Sequence, residues 1–352
     1  MKIGIYNPYF DSFGGGERYV LTLAENWSKR HSVVLLWDDK TILQKAEDRF
    51  DLDLSNVSVG KNFFSSGNIV AKILESRRYD LIFFLSDGSV PTSFARYNIL
   101  HFQVPFSHVI MPRWKASRYQ QIVCNSEFTN RYLDKTLLTD RSVIYPPVDV
   151  EKFTSGKKTK IILSVGRFNG QYGAKKQDIL IDAFRKGLKN RHFTGWKLIL
   201  AGGLLSSDIE YFEMLQQKAD GLSVEFHANC SFSELKKFYS EASIYWHAAG
   251  FGETKPEHME HFGITTVEAM ASGAIPVVFA GGGQPDIICD GKNGFLWKTI
   301  DELYKKTLIA MGKTDNTRKI IREAKKTADG YSKEHFNHKF AVLLSRICKT
   351  TF

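Results

Sequence analysis

Short apolar runs of strand length recur along the chain between longer amphipathic stretches. The runs Lys2 to Tyr6, Val33 to Trp37, Leu81 to Leu85, Asn98 to Phe102 and Gln121 to Cys124 read as strands, separated by helical patterns at Gly16 to Lys29, Ile69 to Arg77 and Glu127 to Leu138. The pattern restarts after Pro146-Pro147. Strand-like runs at Ile161 to Val165, Trp196 to Ala201, Ser223 to Phe226, Ile244 to Trp246 and Ile275 to Phe279 alternate with helical ones at Asp178 to Leu188, Asp208 to Ala219, Glu234 to Tyr239 and Thr265 to Ala271. Strands alternating with helices predict βαβ units around parallel sheets, here twice over. Tyr145-Pro146-Pro147-Val148-Asp149 and the polar run Thr154 to Lys158 supply a stiffened turn and a connector. These signals divide the chain into 1–153, 154–330 and a C-terminal helix at 331–352 expected to pack back on the N-terminal domain.

A chain of 352 residues is long enough for about two domains, and 43% hydrophobic with 13% aromatic residues excludes a disordered or fibrous protein. The longest apolar runs, Leu81 to Leu85 and Ile275 to Ala280, fall far short of a membrane span. The first residues enter a strand pattern without a secretory-signal pattern. Cys124, Cys230, Cys289 and Cys348 lie far apart with no CxxC pair, so neither a disulfide framework nor a zinc knuckle is expected. A cytoplasmic location follows as the expectation.

The net charge of +10 is uneven: residues 301 to 352 hold 12 Lys and Arg against 6 Asp and Glu. Such a surplus suits an anionic lipid surface, a phosphorylated ligand or an ordinary solvated helical face. No nucleic-acid-binding motif accompanies it.

Candidate chemistry gathers at the predicted strand ends. After the first strand, Gly14-Gly15-Gly16 open a helix and offer backbone amides to an anionic group; a dinucleotide GxGxxG would need glycine where Tyr19 stands. Arg167 ends the strand at Ile161 to Val165, and Lys175 and Lys176 follow a loop containing Gly170 and Gly173. Cations at that edge of a parallel sheet are suited to phosphate. The densest stretch is Glu257 to Gly273. There Glu260 precedes a helix opened by Thr265, Glu268 lies about one turn inside it, and amides at Gly263, Ile264 and Thr265 form a positive helix end. Gly281-Gly282-Gly283 follow the strand at Ile275 to Phe279 and add a second glycine loop. Asp51-Leu52-Asp53 is formally a DxD metal motif, but it lies in a polar stretch. His258 and His261 lack the HExxH order of a metal site, and Pro256 breaks any preceding helix.

The run from Glu260 to Glu268 resembles the E-x7-E signature of family-four glycosyltransferases. Arg167 with Lys175, the loop Gly281 to Gly283, and Gly291-Lys292-Asn293-Gly294-Phe295-Leu296 fall in that family's order. The resemblance implies a GT-B fold: two Rossmann-like doubly wound α/β domains facing across a cleft, with a helical C-terminal segment. It implies a retaining hexosyltransferase that needs no metal or other cofactor, in which the leaving phosphate takes the acceptor proton in a front-face attack. Arg167 and Lys175 would bind the donor diphosphate with Gly263, Ile264, Thr265 and Gly282; Glu260 would orient the sugar; Glu268 would hold the ribose. His101 would stand beside the transferred sugar, making Glu260, His101, Arg167 and Lys175 the catalytic set. The N-terminal domain would take the acceptor, at Gly14, Gly15 and Gly16. Gly14 to Arg18, Tyr145 to Asp149 and Glu260 to Ile264 are most similar to α-1,2-mannosyltransferases that extend lipid-linked oligosaccharides. Mannose from GDP-mannose, a glycan or lipid-linked acceptor, no nucleic-acid partner and peripheral contact with an anionic inner membrane face are the matching expectations. One departure from the family pattern is the longer segment Ala249 to Met259. A nucleotide-sugar epimerase on the same fold, or a non-catalytic nucleotide or lipid-surface binder, are the alternatives.

Overall fold

The computed structural model describes residues 1–65, 68–170 and 174–349. Gly173, expected in the loop before Lys175, lies outside them. The chain forms two compact units, Met1–Pro147 with Lys333–Phe352, and Val148–Ser332.

The first unit is built on β1 (Lys2–Tyr6), β2 (Ser32–Leu36), β3 (Val57–Gly60), β4 (Leu81–Leu85), β5 (Tyr97–Phe102), β6 (Gln121–Cys124) and β7 (Arg141–Val143). Their order is β3-β2-β1-β4-β5-β6-β7, every pair parallel. Alternation along a strand buries both faces. In β4, Leu81, Phe83 and Leu85 join the core that holds Tyr19, Leu23 and Trp27, while Ile82 and Phe84 join Phe63, Phe64 and Leu100 on the other side. The helix Lys333–Lys349 belongs to this unit: Phe336 and Phe340 pack edge-on against Tyr19, at 4.8 and 5.9 Å between ring centroids, and Lys333 pairs with Glu25 at 2.8 Å.

The second unit has β8 (Thr159–Val165), β9 (Lys197–Gly202), β10 (Val224–Ala228), β11 (Ala242–His247), β12 (Ile275–Phe279) and β13 (Phe295–Trp297). The order is β10-β9-β8-β11-β12-β13, again all parallel. Strand order reverses between β1 and β4 in one sheet and between β8 and β11 in the other. At such a switch point the flanking loops diverge and leave a crevice beyond the carboxyl ends of the strands.

Three findings depart from the sequence pattern. The short strands β3, β7 and β13 escape it, because three or four residues carry too little alternation to be read. The first unit ends at Pro147, ahead of the boundary expected near 153, since Val148 donates its N–H to the Tyr331 carbonyl at 2.9 Å within the second unit. The basic C-terminal stretch is also divided between the two units. Helices Ile300–Met311 and Asp315–Asp329 lie in the second unit and Lys333–Lys349 in the first.

Candidate active site

In the second unit, the carboxyl end of β11 places His247 beside the loop that carries Glu260. Two donors converge on one oxygen of that carboxylate: Lys175 Nζ lies 2.7 Å and His247 Nε2 3.1 Å from Glu260 Oε2. Burial would raise the Glu260 carboxyl, but the Lys175 ammonium and the His247 contact override it and hold the group well below the usual carboxylate range. Glu260 is therefore ionised at neutral pH and can only accept. The His247 nitrogen facing it carries the proton, leaving Nδ1 as an acceptor. Burial lowers the His247 pKa, with Glu260 opposing it, and the buried Nδ1 has no hydrogen-bond partner among the described residues.

The helix Ile264–Ala271 starts immediately behind this cluster. Gly263 caps it with φ of 117°, a conformation open to glycine, and a Cβ there would also come within 2.5 Å of Gln284 Nε2. Gly283 N–H donates to the Glu260 carbonyl at 2.6 Å, so the Gly281 to Gly283 loop after β12 is fastened to the Glu260 loop. Ile264 and Thr265 are partly exposed at the helix start, and Tyr245 donates its hydroxyl to Thr265 Oγ1 at 2.7 Å. Glu268 is buried and accepts from Tyr239 at 2.9 Å. Arg167 is exposed beyond the end of β8, with its carbonyl held by Gln177.

The long segment Ala249 to Met259 is held in place by charge. Lys176 pairs with Glu253 at 2.7 Å, Glu253 with His258 at 3.4 Å, and Pro256–His258 forms a 3-10 turn.

The sequence pattern missed two groups here. His247 directly follows the apolar run Ile244 to Trp246 as the last residue of β11, so its place at a strand end is the signal that could have found it. Gln284 follows the glycine loop, is fully buried, and neither atom of its side-chain amide finds a partner among the described residues. A buried amide left unpaired is costly.

In the first unit, the helix Gly15–Ser28 follows β1 after a loop that contains the 3-10 turn Phe10–Ser12. Glu17 is buried and accepts from Gly14 N–H at 2.8 Å, Ser12 Oγ at 2.7 Å and Asn7 Nδ2 at 3.0 Å. The amide of Gly14, expected to meet an external anion, is thus occupied by a carboxylate of the chain itself; Gly15 is exposed and Gly16 partly so. A Cβ at Gly16 would come within 2.6 Å of Gln103 Oε1, so the Gln103 side chain would have to shift to admit it.

His101, at the end of β5, is completely buried. Its ring stacks on Tyr19 at 4.1 Å, Nδ1 lies 2.9 Å from the Val123 carbonyl, and Nε2 lies 3.2 Å from Gln103 Nε2. A carbonyl only accepts, so Nδ1 carries the proton and Nε2 accepts from Gln103. Burial lowers the His101 pKa to about 3, against a smaller opposing effect of the Val123 bond. The imidazole is neutral and enclosed. The partly exposed polar group at that strand end is Gln103, which sequence reasoning passed over. Asp51 and Asp53 lie in the turn after helix Ile42–Phe50, where Asp53 accepts from Ser55 Oγ at 2.6 Å.

Two glycine-backed strand ends at two switch points define a nucleotide-binding α/β class, and sequence comparison narrows it. The family described as "Glycosyl transferases group 1" matches residues 147–328, and "Glycosyltransferase Family 4" matches residues 13–152. The chain belongs to the group 1 glycosyltransferase family and has the GT-B fold. Among curated proteins it is similar to the GDP-Man:Man(3)GlcNAc(2)-PP-Dol alpha-1,2-mannosyltransferase of Xenopus laevis, with 30% identity over 247 residues, 64% of this chain and 49% of that protein. The human protein of the same name is 30% identical over 229 residues, covering 59% and 44%. The chain spans about half the length of these relatives. Among solved structures, Anabaena Alr3699/HepE in complex with UDP aligns with a TM-score of 0.75 at 21% identity, covering 98% of this chain and 100% of that one. Sucrose-phosphate synthase from Thermosynechococcus elongatus aligns at 0.73 and 14%, covering 100% of both.

Proposed function

We propose that the chain is a retaining glycosyltransferase that moves a hexose, mannose from GDP-mannose, to a lipid-linked glycan without a metal ion. The observation that carries this reading is the convergence of Lys175 and His247 on one oxygen of Glu260, beside a glycine-capped helix start at the switch point of the second sheet. With Oε2 engaged twice, Oε1 faces the task of accepting from a sugar hydroxyl. Lys175 serves two partners: it holds Glu260 and adds positive potential for the departing diphosphate, together with Arg167 and the amides at Gly263, Ile264 and Thr265. The Gly282 loop borders the same space, and Glu268 takes the ribose hydroxyls. The unpaired His247 Nδ1 and Gln284 amide support a polar ligand here, since a bound hydroxyl or phosphate would offset their desolvation.

On the acceptor side we assign the loop at Gly15 and Gly16, the Gly14 amide being held by Glu17, with His101 acting through Gln103. The donor sugar and the acceptor class rest on the relatives, whose names specify GDP-Man and a PP-Dol-linked glycan. Among the described residues no helix is long and apolar enough to cross a membrane; peripheral contact with the lipid-linked acceptor, from the cytoplasmic side, is part of the proposal.

Thermal-shift titration with GDP-mannose, UDP-glucose, UDP-N-acetylglucosamine and ADP-glucose tests the donor. A true donor at about 100 times its Kd stabilises by about 2.7 kcal/mol. Release of nucleoside diphosphate should require acceptor and proceed equally in EDTA and in magnesium. Turnover of the donor without acceptor to an epimerised sugar, or donor binding with no turnover, would overturn the transferase assignment.

A further inference from the structure

The first unit carries an apolar surface that its core does not use. In the helix Ile69–Ser76 the one buried residue is Ser76, while Ile69, Val70 and Leu74 are 50, 58 and 57% exposed. A helix of this composition normally turns such a face inward. Nearby, the segment around helix Arg113–Ala116 exposes Ile110 and Trp114 by 73 and 54%.

The two segments are tied together. The Phe94 ring lies under the guanidinium of Arg77 at 5.5 Å and under that of Arg118 at 5.0 Å, and Phe94 N–H donates to Ser76 Oγ at 2.9 Å. Lys115 reaches the Val90 carbonyl at 2.9 Å and lies 5.7 Å from the Trp114 ring centre. Its basicity is lowered by burial and then by the ammonium of Lys72, which places the two cations near each other. Residues 69–78 and 110–118 together hold Lys72, Arg77, Arg78, Arg113, Lys115 and Arg118 against one acidic residue, Glu75, itself paired with Arg78 at 3.1 Å.

Exposed aliphatic side chains, a tryptophan and six cations against one carboxylate in the same two segments match a single occupant. The aliphatic groups and the indole suit the boundary of headgroups and acyl chains, and the cations suit anionic headgroups. We propose that the surface formed by helix Ile69–Ser76 and the segment Ile110 to Arg118 docks the first unit on an anionic lipid bilayer. This deepens the peripheral-membrane part of the proposed function and rests on it. It also moves the membrane contact away from the basic C-terminal stretch, which is divided between the two units and, among the described residues, lacks a comparable set of exposed apolar side chains on one element.

The test is flotation of the full chain with vesicles of phosphatidylcholine alone and with about one third phosphatidylglycerol. Wild type should bind the anionic vesicles at low salt, weakly bind the neutral ones, and lose about tenfold in partitioning at 0.5 M salt. The double variant Leu74→Glu/Trp114→Glu should lose at least about tenfold at low salt, while Trp114→Phe stays near wild type. Melting temperature and the donor-induced thermal shift should be unchanged in all variants, since these side chains are outside the cores. Wild-type binding that the double variant keeps would overturn this surface while leaving peripheral attachment intact. No binding by wild type would overturn both, and neither result touches the donor site. If the double variant instead dissolves a dimer seen by light scattering and leaves vesicle binding unchanged, the surface belongs to a second copy and the lipid proposal fails.

Discussion

The two sheets reverse their strand order in the same way, yet the polar groups at the reversals are opposite in character. At the β1/β4/β5 end, His101 is neutral, enclosed by Tyr19 and satisfied by Val123 and Gln103. At the β8/β11 end, Glu260 is charged and held by a lysine and a histidine, with neighbouring polar atoms that find no partner among the described residues. One topology thus accommodates a closed, neutral network and an open, charged one. The difference suits a division of labour in which the charged end meets a leaving group that gains negative charge, while the neutral end positions a hydroxyl-bearing partner.

Removing the charge should break this contrast most sharply. Lys175→Met leaves Glu260 partly buried without its cation and strips potential from the proposed diphosphate site. Transfer, measured as kcat/KM, should fall about 100-fold or more, with the donor thermal shift strongly reduced. Near-normal kinetics would remove Lys175 from the site.

The paired glutamates sharpen it next. Glu268→Gln should chiefly raise the donor KM, and Glu260→Gln should chiefly lower kcat, each by about 10- to 100-fold, if the first holds the ribose and the second acts on the sugar as its bond breaks, as proposed. An identical pattern in both variants would merge roles that are separated here.

The neutral end has a pH signature. The folded His101 pKa is depressed to about 3 from an ordinary 6.5, so below pH 6.5 the unfolded chain takes up a proton that the folded one refuses. Stability is fully present above pH 6.5 and is lost as pH falls from there toward 3, with a slope of about 1.4 kcal/mol per pH unit from this group. Hydrogen exchange at β5 in wild type and in His101→Gln isolates it: the variant should lose that share of the slope. Equal slopes would mean that the ring is protonated in the folded state.

The smallest effect is expected at His247. Gln at this position offers an amide near the place of Nε2, whereas Asn falls short, so His247→Gln should keep kcat within about threefold and His247→Asn should lose about tenfold. Equal losses in both would assign His247 to packing rather than to holding Glu260.

Much of this was legible in one dimension. Alternating strand and helix patterns read as two parallel sheets because both faces of each strand are buried, which forces near-continuous apolar runs such as Leu81 to Leu85. Arg167 and the glycines at 281–283 stood out because they closely follow such runs and so fall at strand ends, and Glu260 and Glu268 because they flank the start of a helix. Edge strands β3, β7 and β13 were too short to carry a period.

Other features depended on groups far apart in sequence meeting in space. No local pattern links Lys175 to Glu260 or His247 to the same oxygen, whereas Glu17 reaches the amide of Gly14 three residues back, as a capping glutamate at the third helical position does. The enclosure of His101 likewise depends on Tyr19 and Val123, brought together by sheet register and the helix packed over it. Burial, ionisation and hydrogen-bond partnership are properties of surroundings rather than of residues. The sequence therefore determined which side chains stand at the ends of the strands, and the tertiary structure decided which are charged, which are closed off, and which face outward as Trp114 and Leu74 do.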